Sequence, residues 1–180
     1  MSRGKVLLPI ARAAIARALQ VSLKADESAP WLVDHGACFV TLTQHGELRG
    51  CIGSLQAHQS LLADVKSNAV SAALRDPRFL PLSVEELDIT AIEISLLSPT
   101  ESMDVRDEAD ALAQLRPEMD GIVFEYGPYR STFLPQVWEN LAQPREFLAM
   151  LRRKAGLPDD FWAEGVKLSR YTVTKWSEEH

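Results

Sequence analysis

The 180-residue chain carries 19 basic and 25 acidic side chains, a formal net charge of −6, with 46% hydrophobic and 24% charged residues. This length fits one domain or two small subdomains burying about two-thirds of the unfolded surface. The acidity argues against a nucleic-acid surface, which needs a basic stripe, and no apolar run of about 18 residues is present to span a membrane.

The N-terminal apolar stretch is interrupted by Arg12 and Arg17, which argues against a signal peptide. It predicts an amphipathic helix from about Pro9 to Val21, with Pro9 in the first turn and Gly4 in a frayed terminus. Strands follow at Cys38–Thr43 and Glu47–Gly53. A three-residue loop Gln44–Gly46 would pair Thr43 with Glu47 and Phe39 with Cys51. Val40, Leu42, Leu48 and Ile52 then share the core face, and Thr41, Arg49, Cys51 and Gly53 the other. A two-residue loop would flip one strand and scatter the apolar set. In the three-residue register Arg49 and Cys51 are about 6 to 7 Å apart on one face. Cys38 and Cys51 point to opposite faces, so no disulfide joins them, in keeping with a reducing cytoplasmic compartment. Gly50 and Gly53, inside a strand rather than at its turn, mark a bulge or a close approach.

A helix over Leu61–Arg75 is stopped by Pro77, and Ser83–Glu86 has capping-box spacing before a strand over Ile89–Leu97 with Ile92, Ile94 and Leu96 on one face. A linker is expected over Leu97–Val105. The second half predicts a helix at Glu108–Leu115, strands Ile122–Tyr126 and Tyr129–Leu134 around Gly127, a helix Pro144–Ala155 closed by Gly156, and a strand Lys167–Trp176. Trp138, Phe147, Phe161 and Trp162 read as core or subdomain-contact aromatics. Residues 9–97 and 104–176 thus repeat a helix–hairpin–helix–strand order at about eighty residues, as duplication of one α+β unit would produce. Arg49 and Arg130 each follow their turn glycine by three residues, and Cys51 aligns with Thr132.

Cys51 is the candidate catalytic residue: a thiol that neighbouring Arg49 would activate, or else a small apolar residue filling a tight site. Asp76 ends a helix, where its charge opposes the macrodipole and calls for a cation, Arg78 or Arg49. That pair reads either as a structural junction or as a pocket wall. Thr132 to Gln136 ends a hairpin and starts a helix at Pro135, where backbone N–H groups would bind an anion or simply form a turn. The candidate binding set is therefore Arg49, Gly50, Gly53, Asp76, Arg78, Thr132 and Gln136 on one cleft. The four histidines and two cysteines lack the paired spacing of a zinc site, and His45 and His180 read as solvated residues. No metal is predicted, and nothing in the residues names a cofactor.

Leu48-Arg-Gly-Cys-Ile-Gly53, Asp76-Pro-Arg-Phe79, Ile94-Ser-Leu-Leu-Ser-Pro99, Asp120-Gly-Ile122, Thr132-Phe-Leu-Pro-Gln-Val137 and Lys154-Ala-Gly-Leu157 together resemble the AMMECR-type domain family over nearly the whole chain, residues 1–180 as one such domain. Prokaryotic members of that family are called AmmeMemoRadiSam system protein A. The resemblance implies an α+β fold of two related subdomains, one barrel-like and mainly antiparallel sheet flanked by helices, and a cleft. It also implies Memo-like and radical-SAM partners, and leaves open an enzyme component, a non-catalytic adaptor or, disfavoured by charge, a nucleic-acid-associated protein.

Overall fold

The computed structural model describes residues 2–178; His180, expected as a solvated terminal residue, lies outside them. In chain order the elements are α1 (Gly4–Ala18), a 3₁₀ turn (Pro30–Val33), β1 (Ala37–Gln44), β2 (Glu47–Gly53), α2 (Leu61–Leu74), a 3₁₀ turn (Val84–Ile89), β3 (Ala91–Leu97), β4 (Glu101–Ser102), α3 (Glu108–Gln114), β5 (Gly121–Tyr126), β6 (Tyr129–Phe133), a 3₁₀ turn (Pro135–Glu139), α4 (Pro144–Ala155), β7 (Lys167–Tyr171) and β8 (Val173–Ser177). They form two compact units, Met1–Leu97 with Thr174–His180, and Ser98–Val173. The expected linker narrows to the junction at Leu97 and Ser98, because Glu101 and Ser102 pair with Arg170 and Ser169.

The fold is mixed α and β, with antiparallel ladders and helices, but the expected single barrel-like sheet is absent. Two open four-stranded sheets run in the orders β2-β1-β3-β8 and β4-β7-β5-β6. The strand expected over Lys167–Trp176 is the reason: it breaks at Thr172, and its two pieces join different sheets. With two edges left on each sheet, neither closes.

In the first unit, Leu7, Ile10, Ala11 and Ile15 recur at helical spacing along α1 and are buried with Val40, Leu42, Ile92 and Ile94 of the sheet. Leu96 packs against the same core. The helix begins at Gly4, before Pro9, so Pro9 lies inside it rather than in its first turn. Gly4 is buried rather than frayed, since a Cβ there would overlap the Trp176 side chain. Arg12 ties α1 to the chain end, with Nη2 2.6 Å from Glu178 Oε1, which also accepts Ile92 N–H at 2.9 Å. Ser60 caps α2 through Ala63 N–H at 3.2 Å.

The β1–β2 hairpin differs from its expected register. The loop has two residues, His45 (φ 53°) and Gly46 (φ 81°), both left-handed as a type I′ turn requires. Thr43 pairs with Leu48 and Leu42 with Gly50, leaving Arg49 as the extra residue of a bulge. The bulge restores parity, so a two-residue loop coexists with Val40, Leu42, Gly50 and Ile52 on one face. Thr41, not Phe39, faces Cys51; Phe39 faces Gly53. Leu48 leaves the core face for the Thr43 side, 44% exposed. Cys38 and Cys51 are both free and on opposite faces.

In the second unit, Phe124, Trp138, Phe147 and Leu151 form the core, with the Trp138 and Phe147 rings stacked at 3.8 Å; Phe161 and Trp162 pack against it. The helix expected from Pro135 is a five-residue 3₁₀ turn, and α4 starts only at Pro144. The aligned N–H groups of an α-helix start are thus missing at Gln136. Among the described residues no helix is long and apolar enough to cross a membrane.

Candidate functional site

The site is assembled by the way α2 lies on the hairpin. Inside the first unit Asp64 is fully buried, and its carboxylate accepts Cys38 N–H (2.9 Å), Asn68 Nδ2 (3.1 Å), Ser54 Oγ (2.7 Å) and Gln59 Nε2 (3.0 Å). One turn on, Asn68 Nδ2 also donates to the Cys38 carbonyl at 3.0 Å. Four donors satisfy a buried charge that would otherwise be costly. Burial, then the Asp64 charge, pushes the Cys38 thiol far above its usual pKa, which makes it a packing residue.

At the other end of α2, Gly50 meets the helix backbone. A Cβ there would overlap the Ala72 carbonyl oxygen, so the close approach expected of this glycine is present. A Cβ at Gly53 would overlap the Phe39 ring that covers it. Helix α2 then ends at Leu74, with Asp76 and Pro77 just beyond.

Asp76 is 5% exposed. Its Oδ2 accepts Cys51 N–H at 3.0 Å, and because β2 is an edge strand the carboxylate stands where a further strand would pair. Arg78 closes back on the same carboxylate, with Nη2–Oδ2 at 2.7 Å, Nε–Oδ1 at 3.0 Å and its backbone N–H at 3.1 Å. These bonds, first those of the Arg78 side chain, then the Cys51 and Arg78 N–H groups, hold the carboxyl well below the usual range against burial. The Arg78 guanidinium is raised in turn, by Asp76 first and with Cys51 contributing.

Of the two cations proposed for Asp76, Arg78 is the partner. Arg49, aimed by the bulge, forks onto Glu86 with Nε–Oε2 at 3.0 Å and Nη2–Oε1 at 3.2 Å. Glu86 also accepts Gln44 Nε2 at 2.9 Å and, through the capping box, Ser83 N–H at 3.0 Å. Arg49, then Gln44, pulls its carboxyl down to about 2. The arginines meet at Phe79, whose ring centroid is 5.9 Å from Arg49 Cζ and 5.4 Å from Arg78 Cζ. Buried Arg49 Nη1 has no hydrogen-bond partner among the described residues.

Arg49, Cys51, Asp76 and Arg78 are therefore linked, through Phe79 and the Cys51 N–H. The Cys51 thiol is half-buried, 3.3 Å from Thr41 Oγ1. Phe79, Thr41 and Glu86 were not singled out by sequence as members of this group. Thr41 shows in the strand alternation, whereas the Glu86 contact depends on the bulge.

Thr132 and Gln136 belong to the second unit, which is described by itself. Thr132 Oγ1 is 3.0 Å from Tyr171 Oη, and its carbonyl accepts Lys154 Nζ at 2.9 Å. Gln136 is exposed on the 3₁₀ turn. Among the described residues no three His, Cys, Asp or Glu side chains are grouped to hold a metal.

The model of the AMMECR1 family matches residues 8–176. Protein MJ0810 of Methanocaldococcus jannaschii is 37% identical over 187 aligned positions, covering 99% of this chain and 91% of that protein. A Thermotoga maritima protein is 35% identical over 86% of each. The crystal structure of the uncharacterized protein PH0010 from Pyrococcus horikoshii superposes with a TM-score of 0.82 at 33% identity, covering 98% of this chain and 92% of that one.

Proposed function

Because the chain belongs to the AMMECR1 family, we propose that it is a component or accessory of a multi-protein enzyme system, acting through the Cys51–Asp76–Arg78 corner. The supporting observation is the Asp76 carboxylate itself. By accepting Cys51 N–H and binding the Arg78 side chain, it sets a half-buried thiol near a guanidinium. A half-buried thiol beside such a fixed charge pair is positioned for nucleophilic or ligand-binding chemistry. Memo-like and radical-SAM proteins are the proposed partners, on the sequence resemblance, and the cytoplasm the proposed compartment.

The test is a Cys51→Ser variant assayed with purified partners of those two classes. Loss of turnover with partner binding intact supports a thiol role in the reaction. Unchanged turnover removes that role.

A non-catalytic adaptor is the second reading, and charge pairing favours it. Arg49 with Glu86 and Arg78 with Asp76 leave the corner near neutral, and Leu80 beside it is 83% exposed. A neutral surface with a projecting leucine fits a protein partner. For this reading, Leu80→Asp should abolish partner capture while Cys51→Ser leaves it unchanged; capture that survives Leu80→Asp counts against it.

Duplication is the proposed origin of the two units. In each, a hairpin is followed by a helix and then by a strand that pairs with the hairpin's first strand: β3 on β1, β7 on β5. Gly46 and Gly127 are left-handed at the two turns. Superposing the two runs in an experimental structure tests this, and hairpins that fail to align would end it.

A further inference from the structure

Away from that corner, the first unit holds a groove bounded by an irregular strap. After α1 the chain reverses at Gln20 (φ 66°), and Val21 N–H returns to the Ala16 carbonyl at 2.8 Å, a helix end with glutamine where glycine is usual. The strap that follows, residues 21–29, has no regular structure and is tied to α2 by Lys66 Nζ–Glu27 Oε2 at 2.7 Å. Between strap, α1 and α2 lies a cavity of about 480 Å³, within the range of small-molecule sites.

Its lining is divided by chemistry. Ala13 and Ala14 of α1 and Val70 of α2, each partly exposed, give an apolar floor, and Leu23 of the strap, 47% exposed, gives an apolar wall. Arg17 and Lys24 also line it, and the side chain of neither makes a hydrogen bond or ion pair with another described residue. Arg17 has a structural reason for its place, since a cation in the last turn of a helix is stabilised by the dipole. Lys24 has none in the fold. Lys66, the other cation there, is already neutralised by Glu27.

We propose that this groove binds a short-chain amphipathic anion. The apolar chain lies on the Ala13–Ala14–Val70 floor under Leu23, and a carboxylate or phosphate head is held by Arg17 and Lys24. Apolar burial supplies affinity in proportion to chain length, and the two free cations select the charged end. The anionic head is common to a free acid and to a membrane lipid. The groove's volume of about 480 Å³, too small for a lipid's two chains, commits the proposal to the free, monomeric molecule.

Titration calorimetry with hexanoate, octanoate and decanoate below their micelle concentrations, decyl phosphate and neutral decanol tests it. Binding should tighten by about fourfold per added methylene. Decanol should bind more weakly than decanoate. Ala14→Leu, which fills the floor, should remove binding, and exposed Lys24→Glu should weaken decanoate at least tenfold while leaving the melting curve unchanged. The Lys24 variant keeps the test decisive if Ala14→Leu fails to fold. Affinity independent of chain length, decanoate binding indifferent to Lys24→Glu, or attachment to anionic phospholipid vesicles without binding of monomeric decanoate would each overturn the proposal.

Discussion

The carboxylate of Asp76 lies 3.0 Å from the backbone nitrogen of Cys51, so the exit of α2 protects the outer edge of β2 with a side chain instead of a strand. One residue, just past the end of a helix, thereby covers part of a strand edge and fixes an arginine.

Replacing Asp76 by Ala should destabilise the first unit by about 1 to 3 kcal/mol, since charged hydrogen bonds are lost and a strand-edge N–H is left without its acceptor. The half-exposed Arg78 regains water, which limits the loss. Urea unfolding of the variant against the parent checks this, and an unchanged midpoint would remove Asp76 from the account of stability.

Glu86 makes acid stability predictable in sign. Its folded carboxyl sits at about 2 against an ordinary 4.5, so its contribution is complete above about pH 4.5 and is lost as pH falls toward 2. Glu86→Gln should flatten the pH dependence of the denaturation midpoint across that window. The same slope in both proteins would show that the Arg49–Glu86 fork contributes nothing.

Gly50→Val should be more damaging than Gly4→Val, although both sites are buried. At Gly50 the obstacle is the Ala72 backbone carbonyl, so α2 must lift from β2; at Gly4 it is the Trp176 side chain. Overpacking of this kind costs about 1 to 3 kcal/mol and more where backbone must move. Equal melting temperatures for the two variants would contradict the contrast.

Thiol labelling should separate the cysteines. Cys51 is half-buried near Arg78, while Cys38 is fully buried with its thiol pKa pushed up. In native protein Cys51 should react at least about tenfold faster, because its sulfur is the accessible one. Mass-mapped alkylation that finds Cys38 modified first would refute the packing described for it.

Sequence reasoning reached the elements whose signals are local. The Ser83–Glu86 capping box, the stop at Pro77 and the apolar alternation of Ile92 and Ile94 depend on near neighbours, and all are present. It also placed Gly50 and Asp76 correctly as a close approach and a charge needing a cation. The hairpin register was lost because parity alone cannot distinguish a three-residue loop from a two-residue loop with a bulge. The error carried into the site: Arg49, the bulge residue, turned to Glu86, thirty-seven positions away. The closed sheet failed for a similar reason, since the break at Thr172 is decided by which sheet each half of the strand joins.

Strand β8 places the last described residues of the chain beside β3, while everything from Ser98 to Val173 forms the other unit. The first unit is therefore discontinuous, and a ribosome must translate the whole of the second before the first can be completed. Until then β3 has a bare edge, Arg12 lacks Glu178, and the Ile92 N–H has no acceptor from that residue. Synthesis order and folding order are thus inverted for part of this protein: the unit that begins first closes last.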